Sequence, residues 1–204
     1  QAPVMEEDGT DLTMVDGKKS LEGLRPPEFD AGFRASLGDL FAWRRDVRRF
    51  LADPIDPAVI DGLIATATLA PSVGNSQPWR FVTVDAPERR AKVRANFAAA
   101  NAEALADYAG EQAKLYATLK LSGMDRAPVQ MAVFADVLSE DGHGLGKKTM
   151  PETLAYSVVG AVNTLWLAAR AEGIGVGWVS ILNAAEINAS LDVPADWQLV
   201  AYLC

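Results

Sequence analysis

Apolar side chains recur every three to four positions along much of this chain, and the interruptions divide it into elements. Residues 1–30 lack that period and are rich in Gly, Pro and acidic groups, which predicts a flexible N-terminal arm ahead of a domain over 31–204. From Phe33 the pattern turns helical and runs on through Arg44-Arg45-Asp46-Val47-Arg48-Arg49 to Phe50. A second helix follows, with Asp56 as N-cap, Pro57 in its first turn, and Val59, Ile60, Leu63, Ile64 and Ala67 at helical spacing. Pro71 stops it, because a proline disfavours helical dihedrals at the preceding Ala70. A strand over 79–84, a long Ala-rich helix over 87–122 and a buried strand over 127–137 come next. The stretch 152–172 has the apolar density of a fully buried helix, closed by Gly173, and reads as a helix at a dimer interface. A strand over 176–182, a short helix capped by Asn183 and a last strand over 197–203 complete the reading. The strands are too few and too widely spaced for a regular doubly wound sheet, and no Gly-x-Gly-x-x-Gly follows a strand to open a helix.

Composition narrows the classes. The 204 residues, half of them hydrophobic and 23% charged, suit one folded domain with an appendage. A net charge of −8 argues against a nucleic-acid partner, which needs a basic face to displace counterions. Cys204 and His143 are the single cysteine and the single histidine, so a thiolate or imidazole metal site is not expected, and a Ser-His-Asp triad has one imidazole to draw on. No apolar window is long enough to span a membrane, and the acidic N-terminus does not resemble a secretory signal; a cytoplasmic protein with no membrane partner is the expectation.

Within that acidic chain, positive charge gathers at Arg44, Arg45, Arg48 and Arg49 around one carboxylate, Asp46. On a helix this is either a solvated face with an Asp46–Arg49 ion pair, or a seat where guanidinium forks meet a phosphate. The segment 70–81, Ala-Pro-Ser-Val-Gly-Asn-Ser-Gln-Pro-Trp-Arg-Phe, crowds Ser72, Asn75, Ser76 and Gln77 around Gly74. Such a loop either uses these groups as its own caps or presents them to a planar heteroaromatic ligand beside Trp79. Gly173, Gly175 and Gly177 alternate into a strand ending at Ser180, which means close packing or a backbone passing flat beneath a ring. His143 reads as a surface or lid residue, and Trp43, Trp166 and Trp178 as core or interface aromatics.

Taken in order, "RRDVRRF", "LAPSVGNSQPWRF", "APVQMAVFAD", "GLGKKTMPET", "LWLAARAEGIGVGWVSIL" and "LDVPADWQLVAYLC" resemble the nitroreductase-like flavoproteins over about residues 33–204. Within them the likeness is to the 5,6-dimethylbenzimidazole synthases, the branch that breaks flavin apart. The resemblance implies an α+β fold with a mixed central sheet flanked by helices, in a domain-swapped homodimer holding FMN at the subunit interface. It implies that Arg44, Arg45 and Arg48 hold the phosphate and ribityl chain. Ser72, Asn75 and Gln77 would meet the flavin from the opposite side, from the second subunit, with Leu145 and Met150 on a lid. Ordinary nitroreductases carry serine at the position of Asp46; the flavin-fragmenting branch resembles this chain in having aspartate, with a serine matching Ser180. The lid departs from the pattern in having Lys147 where arginine is usual. The activity implied is oxygen-dependent fragmentation of reduced FMN to 5,6-dimethylbenzimidazole and D-erythrose 4-phosphate, with Asp46 and Ser180 catalytic. FMN or FMNH2 would be the substrate with molecular oxygen, NAD(P)H an indirect reductant, and a separate flavin reductase a partner. Two other readings use the same arginines: an NAD(P)H-dependent nitro or quinone reductase that retains its FMN, and a flavin carrier without chemistry.

Overall fold

The structure is a computed structural model that describes residues 14–15, 18–19, 25–106 and 123–204. The chain divides into two compact units, 1–42 and 43–204. In the first, β1 (Met14–Val15) pairs antiparallel with β2 (Lys18–Lys19), and most of the expected arm otherwise lies outside the described residues. Asp30 opens helix α1 (Ala31–Trp43) by accepting a 2.7 Å hydrogen bond from the Phe33 N–H.

The helix ends at Trp43, short of the arginine cluster that the sequence pattern placed on it. Residues 44–50 are not helical, and Asp46 forms a parallel bridge with Val176, where the Val47 N–H donates to the Val176 carbonyl at 3.0 Å. Glycine makes this approach possible. A Cβ at Gly177 would lie 2.1 Å from the Val47 carbonyl oxygen, and one at Gly175 would lie 2.9 Å from a Val47 methyl. Close packing thus explains Gly175 and Gly177, whereas Gly173 has open space around it and serves the left-handed turn that ends α5, with φ of 75°. Around the bridge alternate residues lie on one side, so Asp46 pairs with Arg48 and the expected Asp46–Arg49 pair is replaced.

Helix α2 (Pro57–Ala67) starts as its sequence requires, with the Asp56 carboxylate accepting from the Ala58 N–H at 2.9 Å. A 3₁₀ turn (Val73–Asn75) leads into β3 (Trp79–Thr83), then α3 (Pro87–Ala106). The remainder of the helix expected to reach 122 lies outside the described residues. After the short α4 (Gly123–Arg126) come β4 (Met131–Asp136), a second 3₁₀ turn (Asp141–Gly144) and α5 (Thr153–Ala171). The chain ends with β5 (Trp178–Val179), α6 (Ala184–Leu191) and β6 (Trp197–Leu203). Asn183 caps α6 through a hydrogen bond from the Glu186 N–H, as its type predicts.

Four strands make one sheet in the order β3-β4-β6-β5, every neighbouring pair antiparallel; the mixed character is confined to the parallel bridge at Asp46. Strand β4 is apolar on both faces because both are covered. Met131, Val133 and Ala135 face α5 through Val158, Val162 and Leu165, while Ala132 and Phe134 belong to a second core with Val84, Val93, Ile187 and Leu191. Within the second core the fully buried Tyr202 donates its hydroxyl to Gln130 Oε1 at 2.7 Å. Helix α5 is buried along Leu154, Val158, Val162 and Leu165, yet Tyr156 and Val159 of the expected fully buried helix are 60% and 41% exposed in the single chain. Among the described residues no helix is long and apolar enough to cross a membrane.

Candidate active site

The arginine segment is held against the C-terminal half of α5. Arg44 lies over the Trp166 ring, its guanidinium carbon 5.0 Å from the ring centroid, and the Trp166 indole N–H donates to the Arg45 carbonyl at 3.3 Å. Trp166 in turn stands 6.4 Å from Trp178. Arg44, Arg45 and Trp166 line an open cleft of about 180 Å³, with Arg170 as its third charged wall. Arg170 was not among the residues singled out from the sequence; its place in the last turn of α5, just before Gly173, was the available sign. Three guanidinium groups beside an indole suit a ligand that carries a phosphate and a flat ring.

Asp46 faces the other edge of the segment. One carboxylate oxygen accepts from the Trp178 N–H at 3.0 Å and the other from Arg48 Nε at 3.3 Å. The side chain keeps 37% exposure, so the ion pair itself adds at most about 1 kcal/mol of stability. What fixes the carboxylate is the backbone donor, two residues before the exposed Ser180. Beneath it, Phe50, Met124, Trp178 and Cys204 wall a small crevice. Burial pushes the Cys204 thiol up to about 12 against the pull of Arg90, with Asp46 adding to the push, so the thiol stays neutral.

The amide loop and lid are assembled elsewhere. Ser72 Oγ accepts from the Gln77 N–H at 3.0 Å, and the Val73 N–H donates to Ser157 Oγ at 3.0 Å, which ties the loop to the N-terminal half of α5. Gly74, Asn75 and Gln77 all take left-handed dihedrals, with φ of 55°, 54° and 46°. The Ser76 side chain is buried, and its hydroxyl oxygen has no hydrogen-bond partner. The lid sits directly on this loop: a Cβ at Gly142 would fall 2.4 Å from the Gly74 carbonyl oxygen, and one at Gly146 would fall 2.5 Å from a Val73 methyl. Leu145 and Met150 project from it with 67% and 49% exposure. Lys147 donates back to the Ser139 carbonyl, so its charge is used within the lid.

The expected site residues therefore form two sets in one chain. Arg44, Arg45, Asp46 and Arg48 gather near β5 and Ser180; Ser72, Asn75 and Gln77 gather with Leu145 and Met150. Their anchors on α5, Ser157 and Trp166, are nine residues apart, about 13.5 Å along the axis and half a turn around it. A single copy presents the sets on opposite faces of that helix. Among the described residues no cluster of His, Cys, Asp and Glu could hold a metal ion.

The chain is 57% identical over 178 residues to the 5,6-dimethylbenzimidazole synthase of Rhodospirillum rubrum, covering 87% of this chain and 84% of that protein. Its fold matches the crystal structure of oxidized iodotyrosine deiodinase bound to FMN and 3-iodo-L-tyrosine, with a TM-score of 0.68 and 24% identity over 82% of this chain and 86% of that one. A BluB-like flavoprotein from Clostridium difficile 630 matches with a TM-score of 0.65 and 23% identity over 82% of this chain and 87% of that one. Residues 41–204 match the sequence model of the nitroreductase family, and to that family the chain belongs.

Proposed function

We propose that this protein fragments reduced FMN in an oxygen-dependent reaction, releasing 5,6-dimethylbenzimidazole and D-erythrose 4-phosphate. The observation that carries the reading is the carboxylate of Asp46, held by the Trp178 N–H and Arg48 between the cationic cleft and Ser180. The 57% identity to a 5,6-dimethylbenzimidazole synthase supports it from a second direction. The residues present fit FMN: Arg44, Arg45 and Arg170 offer guanidinium donors to a phosphate, and the unpartnered Ser76 hydroxyl underlies a loop of amides turned to left-handed dihedrals.

Bound reduced FMN supplies the electrons, and dioxygen accepts them. Arg44 and Arg45 hold the phosphate, with Arg170 as a further cation at the cleft. Arg48 steadies Asp46, which takes and returns protons at the ribityl carbons as the chain is cut from the ring. Ser180 hydrogen-bonds the flavin edge. Ser72, Asn75 and Gln77 of a second copy meet the ring from the other side, and Leu145 and Met150 exclude water. A homodimer built on the exposed face of α5 around Tyr156 and Val159 brings the two sets together. NAD(P)H enters as the indirect source of electrons, through a separate flavin reductase.

The direct test supplies the protein with FMN reduced under nitrogen, admits air, and follows flavin absorbance with mass detection of 5,6-dimethylbenzimidazole. Stoichiometric loss of FMN with appearance of the benzimidazole is expected. In a parallel run with NADPH and a nitro compound, sustained NADPH oxidation that leaves FMN intact would replace this reading with a nitro or quinone reductase.

A further inference from the structure

We infer that the apolar cavity behind Asp46 is a dioxygen site that feeds the reaction, an assignment resting on the oxygen-dependent function proposed above. The cavity has a volume of about 70 Å³ and lies among α2, α5, the start of β4 and residues 174–176. Ile55, Leu63, Val129, Met131 and Leu165 are among its walls, and no charged, amide or hydroxyl side chain lines it. The space is open on one side in the single chain, but its walls offer water almost no polar partner, so its inner end favours small apolar solutes. Its size selects among them. At roughly 30 Å³ for each molecule of water's size it has room for about two such molecules. Its walls offer no partner to the phosphate, hydroxyls or ring amides of a flavin, so a flavin is not its ligand. Dioxygen is the one reactant of the proposed chemistry that is both small and apolar.

Position supplies the second part. Phe50 and Cys204 wall this cavity and also wall the crevice beneath Asp46, so two side chains separate the gas space from the carboxylate. The Phe50 ring lies between two glycines: a Cβ would come within 2.7 Å of it at Gly123 and within 3.4 Å at Gly177. Glycine at both places lets the ring seat closely against the backbone, where it forms the partition between the two spaces. The other separating group, the Cys204 thiol, is neutral and adds no charge to the passage.

Xenon, an apolar atom comparable in size with dioxygen, probes the cavity without turnover. Xenon NMR should report saturable binding to the wild-type protein, lost in Val129→Phe and Ile55→Phe, two half-buried positions where a larger ring fills the space. Each variant should keep wild-type circular dichroism and kcat at saturating oxygen, while KM for dioxygen rises roughly fivefold. A wild-type protein that binds no xenon but still forms benzimidazole overturns the cavity assignment alone. Variants that exclude xenon and leave KM for dioxygen unchanged overturn it equally. A xenon-binding protein that forms no benzimidazole overturns the flavin-fragmenting reading, and the dioxygen assignment with it.

Discussion

Asp46 is the residue on which the proposed chemistry turns, and its two hydrogen bonds make it testable without breaking the fold. Asp46→Asn keeps an oxygen for the Trp178 N–H while removing the charge, so stability should move by less than about 1 kcal/mol. Benzimidazole formation should fall by about 10²–10⁴-fold, the usual range for a lost general acid–base group, read from product yield under air. Undiminished yield would remove Asp46 from the mechanism. Two buried groups set a different limit. Burial pushes the Tyr202 phenol well above its ordinary value near 10 and the Cys204 thiol from near 9 to about 12. In the unfolded chain both ionise at lower pH, so the unfolded state binds fewer protons in alkali and stability falls as pH rises above about 9. Each such group contributes up to about 1.4 kcal/mol per pH unit in that window. Tyr202→Phe should flatten the decline of Tm between pH 9 and 11, while costing about 1–3 kcal/mol at neutral pH by orphaning Gln130.

At the level of elements, the glycines decide where the arginines lie. Gly177→Ala drives a methyl group to 2.1 Å from the Val47 carbonyl, so the segment 44–50 must move. A loss of about 1–3 kcal/mol in stability together with weakened FMN binding is expected from thermal melts and flavin titration. Gly62→Ala is the control: nothing lies within 4 Å of its Cβ, and in mid-helix the change should stabilise by up to about 1 kcal/mol. The same glycines explain what sequence reading could reach. Helix α2 was legible in Asp56 and Pro57, and β4 in its unbroken apolar run, because those signals are local. The arginine segment reads as helix locally and is not helical because of a partner 132 residues away, a pairing that no window of sequence contains. The type of Asp46 was legible and its geometry was not. Arg170 escaped because one arginine near a helix end is unremarkable until folding places it beside Arg44 and Arg45.

For the whole molecule the decisive spacing is along α5, which carries the amide loop and lid at Ser157 and the arginine segment at Trp166. In the dimer proposed here each site takes one set from each subunit. Asp46→Asn and Gln77→Ala proteins, inactive when pure, should therefore rescue each other after unfolding and refolding together. Random pairing makes half the dimers mixed, each with one intact site, so about a quarter of wild-type activity should return. No recovery, with mixed dimers verified by mass, would place each site within one chain. The half-turn between those two anchors also carries a consequence for inheritance. In that proposed dimer, a cell bearing one intact allele and one allele broken at either set should still assemble mixed pairs with a working site, so such lesions are expected to behave as recessive. Two differently broken alleles can restore growth together, and a genetic screen would score them as separate genes although they lie in one.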